Sequence, residues 1–390
     1  MLAAVIGDKN KPVDVNSRQC IVAIVYLAVV GPCVFILQPG FIQGLVEYLG
    51  MTEQQAGEIA AAEMFGLAAT TVLLSFVSER FAWRNFLFVS VLVCSLGNFA
   101  SIGQTDPGTL AVIRFITGLG SGGLISLTFT MAGLTERTDR NFGYIVSWVL
   151  IFGAIGLLVM PSTYHLVGMN GVLVFFGLFC ASSLYFIRHL PDSGAAHIDH
   201  GKEKNYKAPI KTISLAAILI YNTAVGIVWA YLFLVGLDSG MAEQSVANAL
   251  TVSQFLGIAG ALLAVLFETR FGRLAPLMIG IFGGAASIYL LLGQLESAGF
   301  WLAVCGFNFL WNLSMPYLLA TLAEFDHRGR IVVYGVSMQF VGYALGPFVA
   351  AQLLTRGGYD LVNGVGVVLF VISAVVILPG IVAQRQNSDS

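Results

Sequence analysis

The amino-acid sequence predicts an all-α membrane protein, a bundle of twelve helices arranged as two pseudo-symmetric six-helix halves. Three observations predict this fold class: the composition, a series of long apolar runs, and a pattern in the first half of the chain that recurs in the second half. Of the 390 residues, 57% are hydrophobic and 10% are charged, whereas soluble domains usually carry about a quarter charged residues. Lipid is therefore the expected solvent for most of the chain.

Twelve runs are long and apolar enough for a membrane helix, which needs about 20 mostly apolar residues. In order they cover Cys20 to Tyr48, Gln54 to Ser78, Asn85 to Gly103, Thr109 to Leu134, Phe142 to Tyr164, Gly171 to Ile187, Thr212 to Leu237, Glu243 to Phe267, Ala275 to Leu295, Gly299 to Leu322, Ile331 to Leu354 and Leu361 to Ala383. Each run predicts a helix because a helix satisfies its own backbone hydrogen bonds in lipid. The first run lacks a small-residue cleavage site, so we interpret it as a retained helix.

The basic residues predict how these helices are oriented. All nineteen Lys and Arg residues except Arg114 and Arg356 fall in segments that would lie on one side of the membrane. Because Lys and Arg are retained in cytoplasmic loops, both termini and every even-numbered loop are expected in the cytoplasm. With its compact loops, the chain is predicted to be a multi-pass protein of a bacterial inner membrane. The charge lies in loops, so no nucleic-acid partner is expected.

A polar stretch and an internal repeat divide the chain. The predicted parts are a cytoplasmic tail (1–19), an N-terminal half (20–187), a cytoplasmic linker (188–211), a C-terminal half (212–384) and a second tail (385–390). Arg80 and Arg270 are 190 residues apart, as are Gly156 and Gly346. Duplicated halves are typical of transporters with a substrate path between them. The linker histidines have too few neighbouring ligands for a metal site, and none is predicted.

The loop after the second run gives the first of three patterns that resemble the major facilitator superfamily, over residues 18–385. The family pattern is Gly-x-Leu-x-Asp-Arg-x-Gly-Arg-Arg; this chain keeps its charges but departs from it at Ser75, Ala82 and Trp83. In the second half Thr269 stands where the acid would be. Such charges can clasp cytoplasmic helix ends or serve only the orientation rule. The predicted cytoplasmic gate consists of Glu79, Arg80, Arg84, Arg270 and Arg273.

The fourth run carries the second pattern, Arg114-x-x-x-Gly118-x-Gly120-x-Gly122-Gly123, similar to the family's helix of arginine and glycines. An arginine within a membrane is costly unless it has a partner, and the glycines allow a neighbouring helix to approach. The same glycines satisfy GxGxxG, but inside a span this does not indicate dinucleotide binding. The chain has no GxxxxGK(S/T) motif, which excludes an ATP-driven pump, and no cofactor is predicted.

The third pattern is Gly342-x-x-x-Gly346-Pro347 in the eleventh run, a point where the helix can bend. Many drug/proton antiporters of the family instead carry a Gly-Pro motif in helix five, which this chain lacks. The first run has breaks of its own at Gly31-Pro32 and Pro39-Gly40. Interrupted helices tend to mark the central cavity of a transporter.

Two carboxylates in the second run, Glu58 and Glu63, are candidates for proton coupling. With a rise of about 1.5 Å per residue, Glu63 and Arg114 lie at comparable depths in the outer half of the bilayer. We predict that Glu63 binds the coupling proton and that Arg114 either pairs with it or receives an anionic group of the substrate. A permanent ion pair without proton traffic is the alternative. Glu58 is nearer the surface and is expected to contact water.

Polar and aromatic side chains of the cavity helices are the candidates for substrate binding. They are Tyr26, Gln38, Trp148, Tyr221, Asn222, Trp229, Gln254, Asn308, Trp311, Asn312, Gln339 and Tyr343. Aromatic residues near the ends of runs, including Tyr48 and Tyr164, are assigned to the lipid interface and excluded.

The resemblance implies a monomeric secondary transporter that works by alternating access within the lipid bilayer. We expect proton-coupled symport of a small organic solute, which an unpaired base in the cavity region would suit if the solute is an organic anion. A proton-coupled antiporter that exports drugs or metabolites is the alternative. The spans lack the nucleophile, base or metal set that an enzyme would need, so no catalytic residue is predicted.

Overall fold

The computed structural model describes residues 13–77, 82–193, 206, 208–267, 272–293, 295–325 and 330–388. Within these ranges the chain is helical, with no strand. The helices are α1 (Arg18–Val30), α2 (Cys33–Ile36), α3 (Gln38–Leu49), α4 (Glu53–Val77), α5 (Trp83–Ala100), α6 (Pro107–Gly133), α7 (Thr138–Ser182), α8 (Leu184–Ile187), α9 (Ala208–Asp238), α10 (Glu243–Phe267), α11 (Leu274–Tyr289), α12 (Ser297–Ala323) and α13 (Arg330–Ser388).

Glycines divide the two longest helices and bring the number of membrane segments in the described ranges to twelve. Among the described residues, eight helices are long and apolar enough to cross a membrane. Gly168 divides α7 at φ 64° and ψ −174°, and Gly358 divides α13 at φ 61° and ψ −161°. Only glycine populates this backbone region readily. The broken first segment and the shorter α11 complete the set, which confirms the predicted twelve-helix fold.

The first membrane segment is interrupted close to both predicted breaks. Helix α1 ends at Val30, and Pro32 precedes the short helix α2. Leu37 then leaves the helical region at φ −97° and ψ 13°, and α3 begins with Pro39 in its first turn. A proline is tolerated there because first-turn N–H groups have no partner within the helix.

The structure repeats with the predicted offset of 190 residues. Helices α4 and α10 begin and end at equivalent positions, as do α6 and α12. Six of the seven left-handed glycines in the described ranges form pairs at the same offset: Gly50 with Gly240, Gly103 with Gly293, and Gly168 with Gly358. The N–H groups of Gly103 and Gly293 donate to Asn170 Oδ1 (3.0 Å) and Asp360 Oδ1 (2.9 Å). This register confirms two pseudo-symmetric halves.

The chain forms two compact units. Unit 1 consists of Met1–Gly153 with Ser162–His197, and unit 2 of Ala154–Pro161 with Ile198–Ser390. In unit 1, α6 packs against α4 and α5; in unit 2, α9 packs along α13, and α12 packs against α10 and α11. The predicted linker lies mostly outside the described residues, so its limits stay a prediction.

Candidate functional site

Glu63 on α4 and Arg114 on α6 form a bidentate ion pair in unit 1. Arg114 Nη2 donates to Glu63 Oε1 at 2.6 Å, and Arg114 Nε donates to Glu63 Oε2 at 3.1 Å. The side chain of Arg114 is 0% exposed and that of Glu63 is 5% exposed. Parallel hydrogen bonds between a guanidinium and a carboxylate are among the strongest in proteins. The two side chains predicted at comparable depth therefore meet directly.

The rest of the guanidinium contacts two further elements of unit 1. Arg114 Nη1 donates to Asn98 Oδ1 at 2.9 Å and approaches Ser101 Oγ at 3.4 Å, at the end of α5. Its Cζ lies 5.4 Å from the ring centroid of Phe41 on α3, within the range of a cation–π contact. Since all three nitrogens of Arg114 have partners, the cost of burying its charge is compensated locally.

The glycines of α6 explain how α4 comes close enough for this pair to form. A Cβ atom at Gly118, one turn after Arg114, would lie 2.8 Å from the carbonyl carbon of Glu63 and closer still to its oxygen. A Cβ atom at Gly122, one turn further, would collide with the backbone of Leu67 in the same way. The Arg114–Gly122 pattern thus places a helix backbone directly on α6 and aligns Glu63 with Arg114.

The pairing of Arg114 removes the reason to expect an anionic substrate. That expectation depended on an unpaired base in the cavity region, but Arg114 is paired in the conformation described. Glu58 is half-buried, and its Oε1 accepts from Gln54 Nε2 at 2.9 Å; its contact with water stays a prediction. The role of Glu63 in proton exchange stays a prediction.

Several residues of this region were missed at the sequence level. Asn98 holds Arg114; apart from Asn85 at the very start, it is the one amide in the third run, a signal that could have identified it. Glu47, in the last turn of α3, is a further acid within the spans and accepts a hydrogen bond from Gln43. The assignment of Tyr164 to the lipid interface is wrong: it is 1% exposed, and its hydroxyl donates to the Gly40 carbonyl at 2.9 Å.

The three cavity candidates of unit 1 lie in separate surroundings. Tyr26 stacks on Phe186, with ring centroids 4.4 Å apart, and its hydroxyl is 2.6 Å from Ser182 Oγ. Gln38 is buried, and its Oε1 has no partner among the described residues. Trp148 is 55% exposed. No hydrogen bond or ring contact in the described part of the chain joins these three residues.

Six candidates of unit 2 form what we call the aromatic–amide cluster. Trp229, Trp311, Tyr343 and Gln339 are linked by ring contacts and a hydrogen bond, and Asn308 and Asn312 form a pair on the same helix as Trp311. The Trp311 ring centroid lies 5.9 Å from that of Trp229 and 6.0 Å from that of Tyr343. Gln339 Nε2 donates to Tyr343 Oη at 3.1 Å. Helices α9, α12 and α13 thus each contribute at least one ring.

The two asparagines of the cluster stack one turn apart, as their spacing predicts. Asn312 Nδ2 lies 2.9 Å from both the carbonyl oxygen and Oδ1 of Asn308. Asn308 Nδ2 in turn donates to Ser253 Oγ at 3.1 Å. Gln254, next to Ser253 on α10, is buried.

Tyr221 and Asn222 lie next to the cluster rather than within it. The Tyr221 ring meets Phe370 edge-on, with centroids 4.9 Å apart. Asn222 is buried against Gly342: a Cβ atom at Gly342 would lie 2.8 Å from Asn222 Cβ. These two residues pack α9 against α13.

Arg84 and Arg273, predicted for the cytoplasmic gate, make contacts within their own units. Arg84 is 2% exposed, and its Nε donates to the Leu190 carbonyl at 2.6 Å. Arg273 forms an ion pair with Glu324, just after α12. The other gate residues, Glu79, Arg80 and Arg270, lie outside the described residues, so the gate stays a prediction. No cluster of His, Cys, Asp and Glu suited to a metal occurs in the described ranges.

Known proteins match the chain over most of its length. The sequence profile of the Major Facilitator Superfamily matches residues 23–316. A Bacillus subtilis (strain 168) protein named for niacin/nicotinamide transport, NiaP, is 22% identical over 323 residues, covering 76% of this chain and 79% of the relative. The multidrug resistance protein MdtL of Shewanella sp. (strain ANA-3) is 24% identical over 369 residues, covering 87% of this chain and 86% of the relative.

Two solved structures share the fold. The nucleoside transporter NupG aligns with a TM-score of 0.71 at 14% identity, covering 92% of this chain and 98% of its own. A D-xylose-proton symporter aligns with a TM-score of 0.70 at 18% identity, covering 92% and 97%. The profile, the relatives and the twelve-segment fold agree: the chain is a multi-pass membrane protein and a non-enzymatic secondary transporter that belongs to the Major Facilitator Superfamily.

Proposed function

We propose that the protein carries a small organic solute across a bacterial inner membrane by proton-coupled symport, with Glu63 as the proton-binding group. The observation that carries this proposal is the buried, bidentate Glu63–Arg114 pair. Carboxylates within membrane spans are rare, and in transporters they commonly serve proton relays. A solved structure with the same fold is named a proton symporter, which supports symport as the mode of coupling.

Protonation of Glu63 would link proton binding to movement of α4 against α6. A proton on Glu63 removes the negative charge that faces Arg114, and a buried guanidinium without a counter-charge is strongly unfavourable. Separation of the protonated Glu63 from Arg114 then becomes more favourable, which changes how the two helices pack. Coupling requires this kind of difference in free energy between two conformations.

The same geometry does not require an anionic substrate. Every nitrogen of Arg114 is engaged, and its side chain is 0% exposed. A substrate carboxylate would have to replace Glu63 to reach it. A neutral solute needs no such exchange, so Glu63 and Arg114 can serve the proton alone.

Antiport is the second candidate, because the Shewanella multidrug resistance protein matches 87% of this chain. The two candidates differ in the direction in which a proton gradient moves the solute. In symport an inward gradient drives accumulation, and in antiport it drives efflux.

The test uses purified protein in proteoliposomes, with radiolabelled nicotinamide, D-xylose and uridine as probes and ethidium for export. Glu63→Gln is compared with Glu58→Gln, a matched change on the same helix. For the probe that is carried, we expect Glu63→Gln to abolish accumulation driven by a pH gradient while equilibrium exchange of the solute persists. Unchanged accumulation in Glu63→Gln would refute the proton role, and gradient-driven efflux would replace symport with antiport.

A further inference from the structure

We infer that the aromatic–amide cluster of unit 2 binds a neutral, planar solute that carries N–H or O–H donors, such as a carboxamide or a nitrogen heterocycle. This inference rests on the proposed function, since it takes the chain to be a carrier of small molecules. It assigns the solute's flat face to Trp311 and its polar edge to the amides of Asn312 and Gln339.

The rings around Trp311 leave it suited to stacking. Trp229, Tyr343 and Phe307 meet it at interplanar angles of 56°, 75° and 33°, so none of them lies parallel to the indole. Trp229 and Tyr343 are 1% and 3% exposed, whereas Trp311 is half-buried. The buried rings form a wall, and the half-buried indole is the member of this group that a solute can reach. Offset stacking on an aromatic face favours flat ligands.

Two amides have hydrogen-bonding capacity that the protein does not use: that of Asn312, which follows Trp311 in the chain, and that of Gln339, which contacts Tyr343. Asn312 and Gln339 are half-buried, and each uses its NH₂ group within the cluster. Asn312 Oδ1 and Gln339 Oε1 have no partner among the described residues. Free amide oxygens accept from N–H and O–H groups, so they suit a solute with donors along its edge.

A further amide, next to the cluster rather than within it, also has an unused oxygen. Asn222 is fully buried, and its Oδ1 has no partner among the described residues. It packs against Gly342, the residue before Tyr343. A buried polar atom without a partner is destabilising, which makes this oxygen a further acceptor for a solute or a bound water molecule.

The charge distribution favours a neutral solute. Among the described side chains of α9 to α13, charged residues lie at helix ends and at the bend near Gly358, not within the spans. A charged ligand would lose its hydration at the cluster without gaining a counter-charge. A quaternary ammonium ion could still contact the rings through cation–π interactions, so choline is included in the test.

Binding to the purified full-length protein, measured by tryptophan fluorescence and thermal stabilisation, tests this assignment without any ion gradient. Benzamide, uracil and adenine are the planar neutral probes. Cyclohexanecarboxamide lacks the flat ring, benzoate adds a negative charge, and choline is the cationic competitor. We expect at least one planar neutral probe to bind and the other three compounds to bind at least about tenfold more weakly. Preferential binding of benzoate or choline would overturn the inference.

Variants of Trp311 and Asn312 test whether the binding site lies at the aromatic–amide cluster. Trp311→Phe keeps a ring for packing and should weaken binding about three- to tenfold, the range expected when one aromatic contact is altered. Asn312→Leu should weaken it at least as much. Trp301→Phe, on the same helix, is the matched control and should bind like the wild type. Wild-type affinity in both Trp311→Phe and Asn312→Leu would refute the site. Glu63→Gln should still bind the probe, so failure of the proton mechanism and failure of this site give different results.

Discussion

Replacing Gly118 with alanine should separate α4 from α6 and damage the Glu63–Arg114 pair. The added Cβ atom would lie 2.8 Å from the carbonyl carbon of Glu63, whereas carbon atoms in comfortable contact are about 3.5 Å apart or more. The obstacle is helix backbone and cannot rotate away. The two helices must therefore move apart by about 0.7 Å or more, by the same contact distance.

This displacement is enough to break one of the two parallel hydrogen bonds. The bond of 3.1 Å between Arg114 Nε and Glu63 Oε2 would stretch to about 3.8 Å, beyond hydrogen-bond range. Overpacking costs about 1–3 kcal/mol, and a hydrogen bond to a charged group contributes about 1.5–3 kcal/mol. Alanine's higher helix propensity returns about 1 kcal/mol. We expect a net loss of about 1.5–5 kcal/mol in the free energy of unfolding, on the basis of these terms.

The assay is reversible unfolding by sodium dodecyl sulfate in mixed micelles, followed by circular dichroism. Gly143→Ala is the control: this glycine lies in α7 with open space around its Cβ position, and it should gain up to about 1 kcal/mol. If Gly118→Ala is as stable as Gly143→Ala, α4 and α6 are not in the contact described, and the account of the glycine pattern is wrong.

Three further predictions concern other parts of the fold. Arg114→Gln alone should lose about 3–5 kcal/mol in the free energy of unfolding because it leaves Glu63 as an unpaired buried charge. The double variant with Glu63→Gln should lose less. If a double-mutant cycle shows that the double variant loses as much as Arg114→Gln alone, the coupling is contradicted. Gly168→Ala should lose about 1–3 kcal/mol, measured by the same unfolding assay, because its backbone region excludes side chains; no loss would show that the turn adopts another conformation. The Thr109 N–H lowers the pKa of Asp106 below its usual value of 3.8. The Asp106 N-cap should therefore stabilise the protein above about pH 4 and lose that effect as the pH falls through the lowered pKa. The thermal unfolding temperatures of Asp106→Ala and wild type should converge at acid pH, and a difference that stays constant with pH would refute this.

Much of the fold follows from local properties of the chain. The apolar runs predict the helices, because each membrane helix satisfies its own backbone hydrogen bonds and needs no partner to be recognised. The turn between the fifth and sixth segments follows from the ends of two apolar runs, at Tyr164 and Gly171, which enclose Gly168. The 190-residue offset first seen between Arg80 and Arg270 extends to whole helices. Errors arose where a side chain's surroundings depend on other helices, as for Tyr164, which is buried against Gly40.

The candidate site shows the same division. Glu63 and Arg114 could be identified as expensive groups within spans, but Asn98 was missed because its role exists only where α5 meets α6. Of the unit 2 candidates, Asn308 and Asn312 are four residues apart, so their shared helix face follows from the sequence. Nothing in the sequence separated Trp311, which joins the aromatic–amide cluster, from Tyr221, which packs on Phe370.

The sequence by itself determined the number of membrane segments, their repeat and the family to which the chain is similar, because apolar length and motif spacing are written along the chain. The tertiary structure decided which groups meet: Glu63 with Arg114 across 51 residues, and Trp311 with Trp229 and Tyr343 from three helices. The physical reason is that helix crossings depend on backbone contacts such as Gly118 against Glu63. Those contacts arise only when the helices are packed, and they then select the partners of every buried polar group.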